Sequence, residues 1–167
     1  MADMRVNIAG VEWKNPVTTA SGTFGFGKEY SEYFNLSKLG AVCLKALSAE
    51  PRLGNPSPRI AETPMGILNS VGLQNPGVSS FIENDLARLR EYDTKLIANL
   101  CGNTIEDYAK AAEMLGDNID MLELNISCPN VKVGGMAFGT DPKMTEEITR
   151  RVKEAAKVPL IVKLSPN

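Results

Sequence analysis

With 167 residues, 18 Lys+Arg against 20 Asp+Glu and no histidine, the chain carries a formal charge of −2, a balance that argues against a nucleic-acid partner. Its 43% hydrophobic and 23% charged residues are those of a globular domain able to bury roughly 70% of its unfolded surface, which excludes disorder as the main state. No apolar run reaches the ~18 residues of a membrane span, and MADMRVNIAG lacks the charged and apolar regions of a signal peptide, so the expectation is a cytoplasmic address with no membrane partner.

Residues 5–16 read as a hairpin, because Val6 and Ile8, then Val11 and Trp13, alternate on either side of an Ala9-Gly10 turn. Short apolar strands then alternate with helical stretches. Strands are expected over 17–20, 41–47, 95–100, 121–126 and 160–164, and helices from about Lys28, Ser79, Thr104 and Asp141. Thr104-Ile-Glu-Asp is placed as a capping box, and Asp141-Pro142 puts proline at the first helical position. The near-continuous apolar runs AVCLKALS and KLIANL point to a parallel sheet covered on both faces. Two α/β architectures use such units, an open doubly wound sheet and a closed (β/α)₈ barrel, and both place chemistry at the carboxyl ends of strands. The connection from residue 48 to about 78 is far longer than the usual ~2–6 residues and rich in proline, so it reads as a lid or binding loop.

The absence of histidine removes the usual neutral-pH base and the commonest zinc ligand. Acid-base chemistry falls to Cys, Lys, Asp, Glu or Tyr. Cys43, Cys101 and Cys128, spaced 58 and 27 residues apart, fit neither a disulfide framework nor a CxxC metal site and are expected as reduced thiols. GTFGFGKE at 22–29 approximates a phosphate loop, but Glu29 stands where a hydroxyl would hold magnesium and Tyr30 breaks the dinucleotide pattern. The stretch is read as a glycine-rich turn that lets backbone approach a ligand or a neighbouring strand.

Lys45 and Lys163 are each the lone charge near the end of an apolar strand; they either snorkel to solvent or form an anion or cofactor site. Asn69, Asn99, Asn125 and Asn130 fall at strand or loop ends, where amides read the edge of a planar heterocycle or simply make turns. Cys128 follows a strand on the same side, with Lys132 close in sequence, and is either a nucleophile or base or else a structural thiol.

Taken together, TTASGTFGFG, the strand bearing Lys45, NSVGLQNPG, IANLCGN, ELNISCPNVKVGGMAFGTDP and VKLSPN resemble the catalytic subunits of class 1 dihydroorotate dehydrogenases over nearly the whole chain. ISCPN carries the class 1 cysteine where class 2 has serine, and VKVGGMAFGTD resembles the NAD-linked 1B group. The resemblance implies an FMN-binding (β/α)₈ TIM barrel that oxidises dihydroorotate to orotate in pyrimidine biosynthesis. It implies that Cys128 removes the C5 proton while hydride leaves C6 for the flavin, and that Lys45 contacts both flavin and substrate. Asn69, Ser70, Val71, Gly72 and Leu73 would hold the substrate's carboxylate and ring, Asn125 would touch both ligands, and Asn130 would help bind the substrate. Ala20, Ser21, Ala46, Asn99 and Lys163 match flavin-contacting positions. A second subunit with FAD and an iron-sulfur cluster would pass electrons to NAD, and two catalytic subunits would form a homodimer within a heterotetramer. A whole barrel needs eight strands and ~250 residues. Residues 1–167 are therefore expected to form the N-terminal part of one FMN-binding barrel domain, with only part of its site. Two other readings stay open: a related flavin barrel acting on another reduced pyrimidine, and a half-barrel that serves as a structural or assembly module.

Overall fold

Alternation along short apolar strands sets the architecture of the computed structural model, which describes residues 2–128 and 135–165. β1 (Val6–Ile8) and β2 (Val11–Trp13) pair as the expected antiparallel hairpin, Val6 opposite Trp13. Two four-residue helices follow, α1 (Ser21–Phe24) and α2 (Lys28–Ser31), and then β3 (Ala41–Cys43). β4 (Ile60–Thr63) and β5 (Gly66–Asn69) form a second hairpin. The remaining elements are α3 (Val78–Asn84), α4 (Leu86–Leu89), β6 (Lys95–Leu100), α5 (Ile105–Leu115), β7 (Met121–Asn125), α6 (Met136–Gly139), α7 (Pro142–Ala155) and β8 (Leu160–Lys163).

β3, β6, β7 and β8 make one parallel sheet in that order, and Thr18 bridges Ala41 in parallel beside β3. Spatial order follows chain order without a reversal. A doubly wound sheet reverses at its switch point, so this winding is that of a (β/α)₈ barrel. The two faces are chemically distinct. Val42, Leu44, Leu96, Ala98, Leu100, Leu122 and Leu124 share one apolar cluster with Tyr108 and Leu115 of α5 and Ile148 and Val152 of α7. Ala41, Cys43, Ile97 and Met121 face the other way, onto Trp13 of the first hairpin. Each buried Leu or Ile in these layers stabilises the fold by about 1.5–3 kcal/mol relative to exposure.

The helices that cover the sheet start where the sequence indicates. Thr104 Oγ1 accepts from Asp107 N at 3.1 Å while Asp107 Oδ2 accepts from Thr104 N at 3.1 Å, the reciprocal capping box of α5. Asp141 Oδ1 accepts from Lys143 N at 2.8 Å ahead of Pro142 in α7. Among the described residues no helix is long and apolar enough to cross a membrane.

Four expectations change. The strand over 17–20 contracts to the single Thr18 bridge, because the Thr19 hydroxyl takes the place of backbone pairing: it accepts from Cys43 N at 2.9 Å and donates to Cys43 O at 3.1 Å. The strand over 41–47 ends at Cys43, for a reason that matters to the site below. The long connection is partly regular, since β4 and β5 pair from Ile60–Asn69 to Thr63–Gly66; both are exposed throughout, so they carry no burial pattern for the sequence to display. The helix expected from Ser79 begins at Val78 and is divided at Asp85.

The same connection is tied down by one buried amide. Asn75 Oδ1 accepts from Ser48 N at 3.1 Å and Gly77 N at 2.9 Å, and its Nδ2 donates to Leu73 O at 2.9 Å. Asn75→Ala leaves these groups unpaired in the interior and is expected to cost about 2–3 kcal/mol. Urea unfolding followed by circular dichroism measures it; a midpoint unchanged from the parent would show that the amide does not anchor the loop.

Candidate active site

A surplus residue in β3 creates the first half of the site. Between the Cys43–Ile97 and Leu47–Leu100 pairs, the β3 side advances four residues while β6 advances three. Leu44 N donates to Ile97 O at 2.9 Å and Leu47 N to Asn99 O at 2.8 Å, but the intervening Lys45 N turns away to Gly25 O at 2.8 Å. This is a bulge, which breaks the alternation and re-aims side chains. Leu44 and Leu47 both stay in the helix-facing cluster, so Lys45 and Ala46 are both left facing the mouth. The glycine-rich turn at 22–29 thus receives a neighbouring strand, with Gly25 and Gly27 at φ of 60° and 72°.

The second half comes from register. Asn99 of β6 lies opposite Glu123 of β7, and Asn125 lies opposite Lys163 of β8. These four continue the inward rows begun by Ile97, Met121 and Ile161, so the interior turns from apolar to polar toward the carboxyl ends. Asn125 Nδ2 donates to Asn99 Oδ1 at 3.3 Å, and Asn99 Nδ2 donates to Glu123 Oε1. The Ser21 hydroxyl donates to the same oxygen at 3.4 Å, and the Lys163 ammonium stands 3.7 Å from it.

Two loops complete the wall. Asn55 Nδ2 donates to Ser70 O at 2.8 Å and Asn55 N to Val71 O at 3.0 Å. Gly72, at φ +77°, passes so close that a Cβ would lie 2.8 Å from Asn55 N, and Leu73 is held at φ +58°, a conformation costing a non-glycine residue about 1–2 kcal/mol. On the other side Cys128 follows β7. Its carbonyl accepts from Met136 N at 3.1 Å. The buried Tyr108 hydroxyl donates to Asn125 O at 3.0 Å and accepts from Gly135 N at 3.3 Å, so α5 holds the chain on both sides of the cysteine segment.

These parts enclose a cleft of about 270 Å³. Of the residues singled out in the sequence, Ser21, Lys45, Ala46, Asn69, Val71, Gly72, Leu73, Asn99, Asn125, Cys128 and Lys163 line it. Ala20 and Ser70 do not, although each adjoins a residue that does. Asn130 lies outside the described residues. The sequence reading missed Glu123, Tyr108 and Asn75. Glu123 could have been found by the criterion that found the lysines, as the one charge in the strand MLELN. Tyr108 and Asn75 act through partners remote in sequence, which no local pattern reveals.

The cleft is electropositive, with Lys45 and Lys163 set against the Glu123 carboxylate beneath them. Such a site suits an anionic, planar ligand with donors and acceptors on its edge. The thiols differ sharply. Burial, reinforced by the facing Glu123 carboxylate, pushes Cys43 up to about 12, and burial pushes Cys101 up to about 11. Cys128 is partly exposed at the cleft. Iodoacetamide at pH 8 is therefore expected to alkylate Cys128 in the native protein and the other two only after denaturation, as peptide mass mapping would show; native labelling of Cys43 would contradict the packing.

Burial also raises Tyr108 to about 12. Folded Cys43, Cys101 and Tyr108 hold protons that the unfolded chain releases from about pH 9 for the thiols and pH 10 for the phenol. Their contribution to stability is complete below pH 9 and is lost as pH climbs toward 11–12. Melting temperature is expected to fall above pH 9, and Cys43→Ala to flatten that fall; an equal slope in the variant would remove Cys43 as a cause.

A family model described as dihydroorotate dehydrogenase matches residues 3–167. The chain is 66% identical over 166 residues to the dihydroorotate dehydrogenase B (NAD(+)) catalytic subunit of Alkaliphilus metalliredigens, and 62% identical to that of Alkaliphilus oremlandii, in each case over 99% of this chain and 55% of the relative. It thus spans about half the length of the curated relatives it matches. The crystal structure of DHODH in complex with ferulenol from Eimeria tenella superposes with a TM-score of 0.78 at 22% identity, covering 99% of this chain and 53% of that one. The fold is that of the first strands of a TIM barrel.

Proposed function

Since the chain belongs to the dihydroorotate dehydrogenase family, we propose that its cleft oxidises dihydroorotate to orotate in pyrimidine biosynthesis. The observation that carries this reading is the meeting of Cys128, Lys45 and the amides of Asn69, Asn99 and Asn125 around one electropositive cleft. Dihydroorotate is an anion with a planar amide edge. Lys45 contacts it together with the flavin, and Asn69 with Val71, Gly72 and Leu73 holds its carboxylate and ring; Ser70 and Asn130 complete the same surface by resemblance. Cys128, as thiolate, takes the proton from C5. A flavin held by the residues below would supply the two-electron acceptor for the hydride from C6, so that proton and hydride together make up the two hydrogens lost as the new double bond forms.

The donor set fits a flavin ring. Ser21, Asn99, Asn125 and Lys163 present hydroxyl, amide and ammonium groups to one cleft, and Lys45 reaches it from the bulge, with Ala46 small enough to let a ring approach. We assign the flavin as FMN, with Ala20 at the margin of its site. The cleft volume of about 270 Å³ is just under the ~300–1,000 Å³ usual for a complete ligand pocket, in keeping with residues 1–167 being the N-terminal part of one FMN-binding barrel domain. The names of the relatives support NAD as final acceptor and a partner subunit. We take that partner to carry FAD and an iron-sulfur cluster, with catalytic subunits paired as a homodimer inside a heterotetramer in the cytoplasm.

Anaerobic dihydroorotate is expected to bleach the visible absorption of the FMN-loaded protein. Cys128→Ser is expected to keep the flavin and slow the bleaching about 10²-fold or more at neutral pH, the usual contribution of a general base. Stopped-flow absorbance at the flavin band reads both. Equal rates in parent and variant would remove Cys128 from the mechanism, and absence of bleaching in the parent would remove the substrate assignment.

A further inference from the structure

We infer that Glu123 is a positioning residue which, from beneath the cleft, sets the electrostatic environment of the bound flavin; the inference rests on the flavin reading above. Glu123 does not line the cleft, yet Ser21, Asn99 and Lys163, which do line it, all converge on its Oε1. Its side chain is only 16% exposed. Burying a carboxylate is costly, and an ion pair at 3.7 Å is weak evidence that the acid is there for stability. A structural role alone therefore accounts poorly for it.

The hydrogen bonds give the carboxylate two separate effects. One is direction. Because Asn99 Nδ2 donates to Glu123, the Asn99 carbonyl oxygen is left to accept from Asn125 Nδ2, and Asn125 Oδ1 in turn accepts from Ser127 N at 3.2 Å and Ser127 Oγ at 2.9 Å. Every donor in that chain points toward the carboxylate, so one acid fixes which end of each amide meets a ligand. The other effect is charge. Glu123 offsets Lys163 but leaves Lys45 alone, since Lys45 has no ion-pair partner among the described residues. The positive charge of the cleft is thus concentrated on the bulge side. An electron-rich reduced ring is held more tightly by positive surroundings, and Glu123 limits that preference on the β8 side.

The test is the two-electron midpoint potential of the FMN-loaded full-length protein, measured by anaerobic reductive titration against a reference dye, together with the dissociation constant for oxidised FMN. Glu123→Gln keeps size and hydrogen bonding but removes the charge. It is expected to bind oxidised FMN within about threefold of the parent while favouring the reduced form about tenfold more, an upward shift of about 30 mV. Lys163→Met is expected to shift the potential downward, which keeps the inference testable if the first variant folds poorly. An unmoved potential in folded, flavin-loaded Glu123→Gln, or shifts of the same sign in both variants, would overturn the role of Glu123 while leaving the flavin reading intact. Failure of the parent to bind FMN would instead overturn the flavin reading, and the role of Glu123 with it.

Discussion

The register between β6, β7 and β8 is the constraint on which the rest depends. Parallel pairing sets Ile97 beside Met121, Asn99 beside Glu123 and Asn125 beside Lys163, so the inward side chains pass from apolar to polar toward the carboxyl ends. Low in the sheet the row is apolar and packs on Trp13. Higher up it is amide, acid and ammonium. A shift of one residue in any of these strands would turn its polar side chains into the helix-facing cluster and its leucines inward. The leucines at 96, 100, 122 and 124, all fully buried under the helices, oppose that shift. The packing that stabilises the fold is therefore also what aims the polar groups.

Three departures from regularity shape the site. The bulge after Cys43, the positive φ at Leu73 and the left-handed Gly72 each sit where side chains or backbone must face the cleft. In the bulge a strand N–H is diverted to Gly25, which ties the glycine-rich turn to Lys45. Leu73 is held in its conformation by the Asn75 amide bonded to its carbonyl, and Asn75 is itself anchored on Ser48 at the end of the β3 run. Two sides of the cleft are thus braced from the same strand.

Elements with a repeating burial pattern were legible in the sequence. β6 matches its expected bounds residue for residue, β7 and β8 to within one, and α5 and α7 begin at the caps their first residues announce. The apolar periodicity alone left barrel and doubly wound sheet open, because both use the same βα unit; the motifs' resemblance implied the barrel, and the strand order bears it out. The β4–β5 hairpin was missed because both its faces meet solvent, and Met65 at its turn is 97% exposed. At the site, single charges and amides at strand ends pointed to Lys45, Asn99, Asn125, Cys128 and Lys163, which meet at the cleft. What could not be read was their support. Tyr108, Asn75 and the one-residue surplus in β3 act through contacts between segments distant in sequence.

The Tyr108 hydroxyl has a consequence for how such a protein changes over generations. By bonding Asn125 O on one side and Gly135 N on the other, and with Met136 N on the Cys128 carbonyl, the helix clamps both roots of the cysteine segment to the barrel. One hydroxyl thus serves two backbone segments, and a substitution of Tyr108 would leave the Asn125 carbonyl and the Gly135 N–H to find new partners at the same time. This helix position is therefore held by demands from the sheet and from the chain after it together, and it is slower to change than neighbours that only cover the sheet.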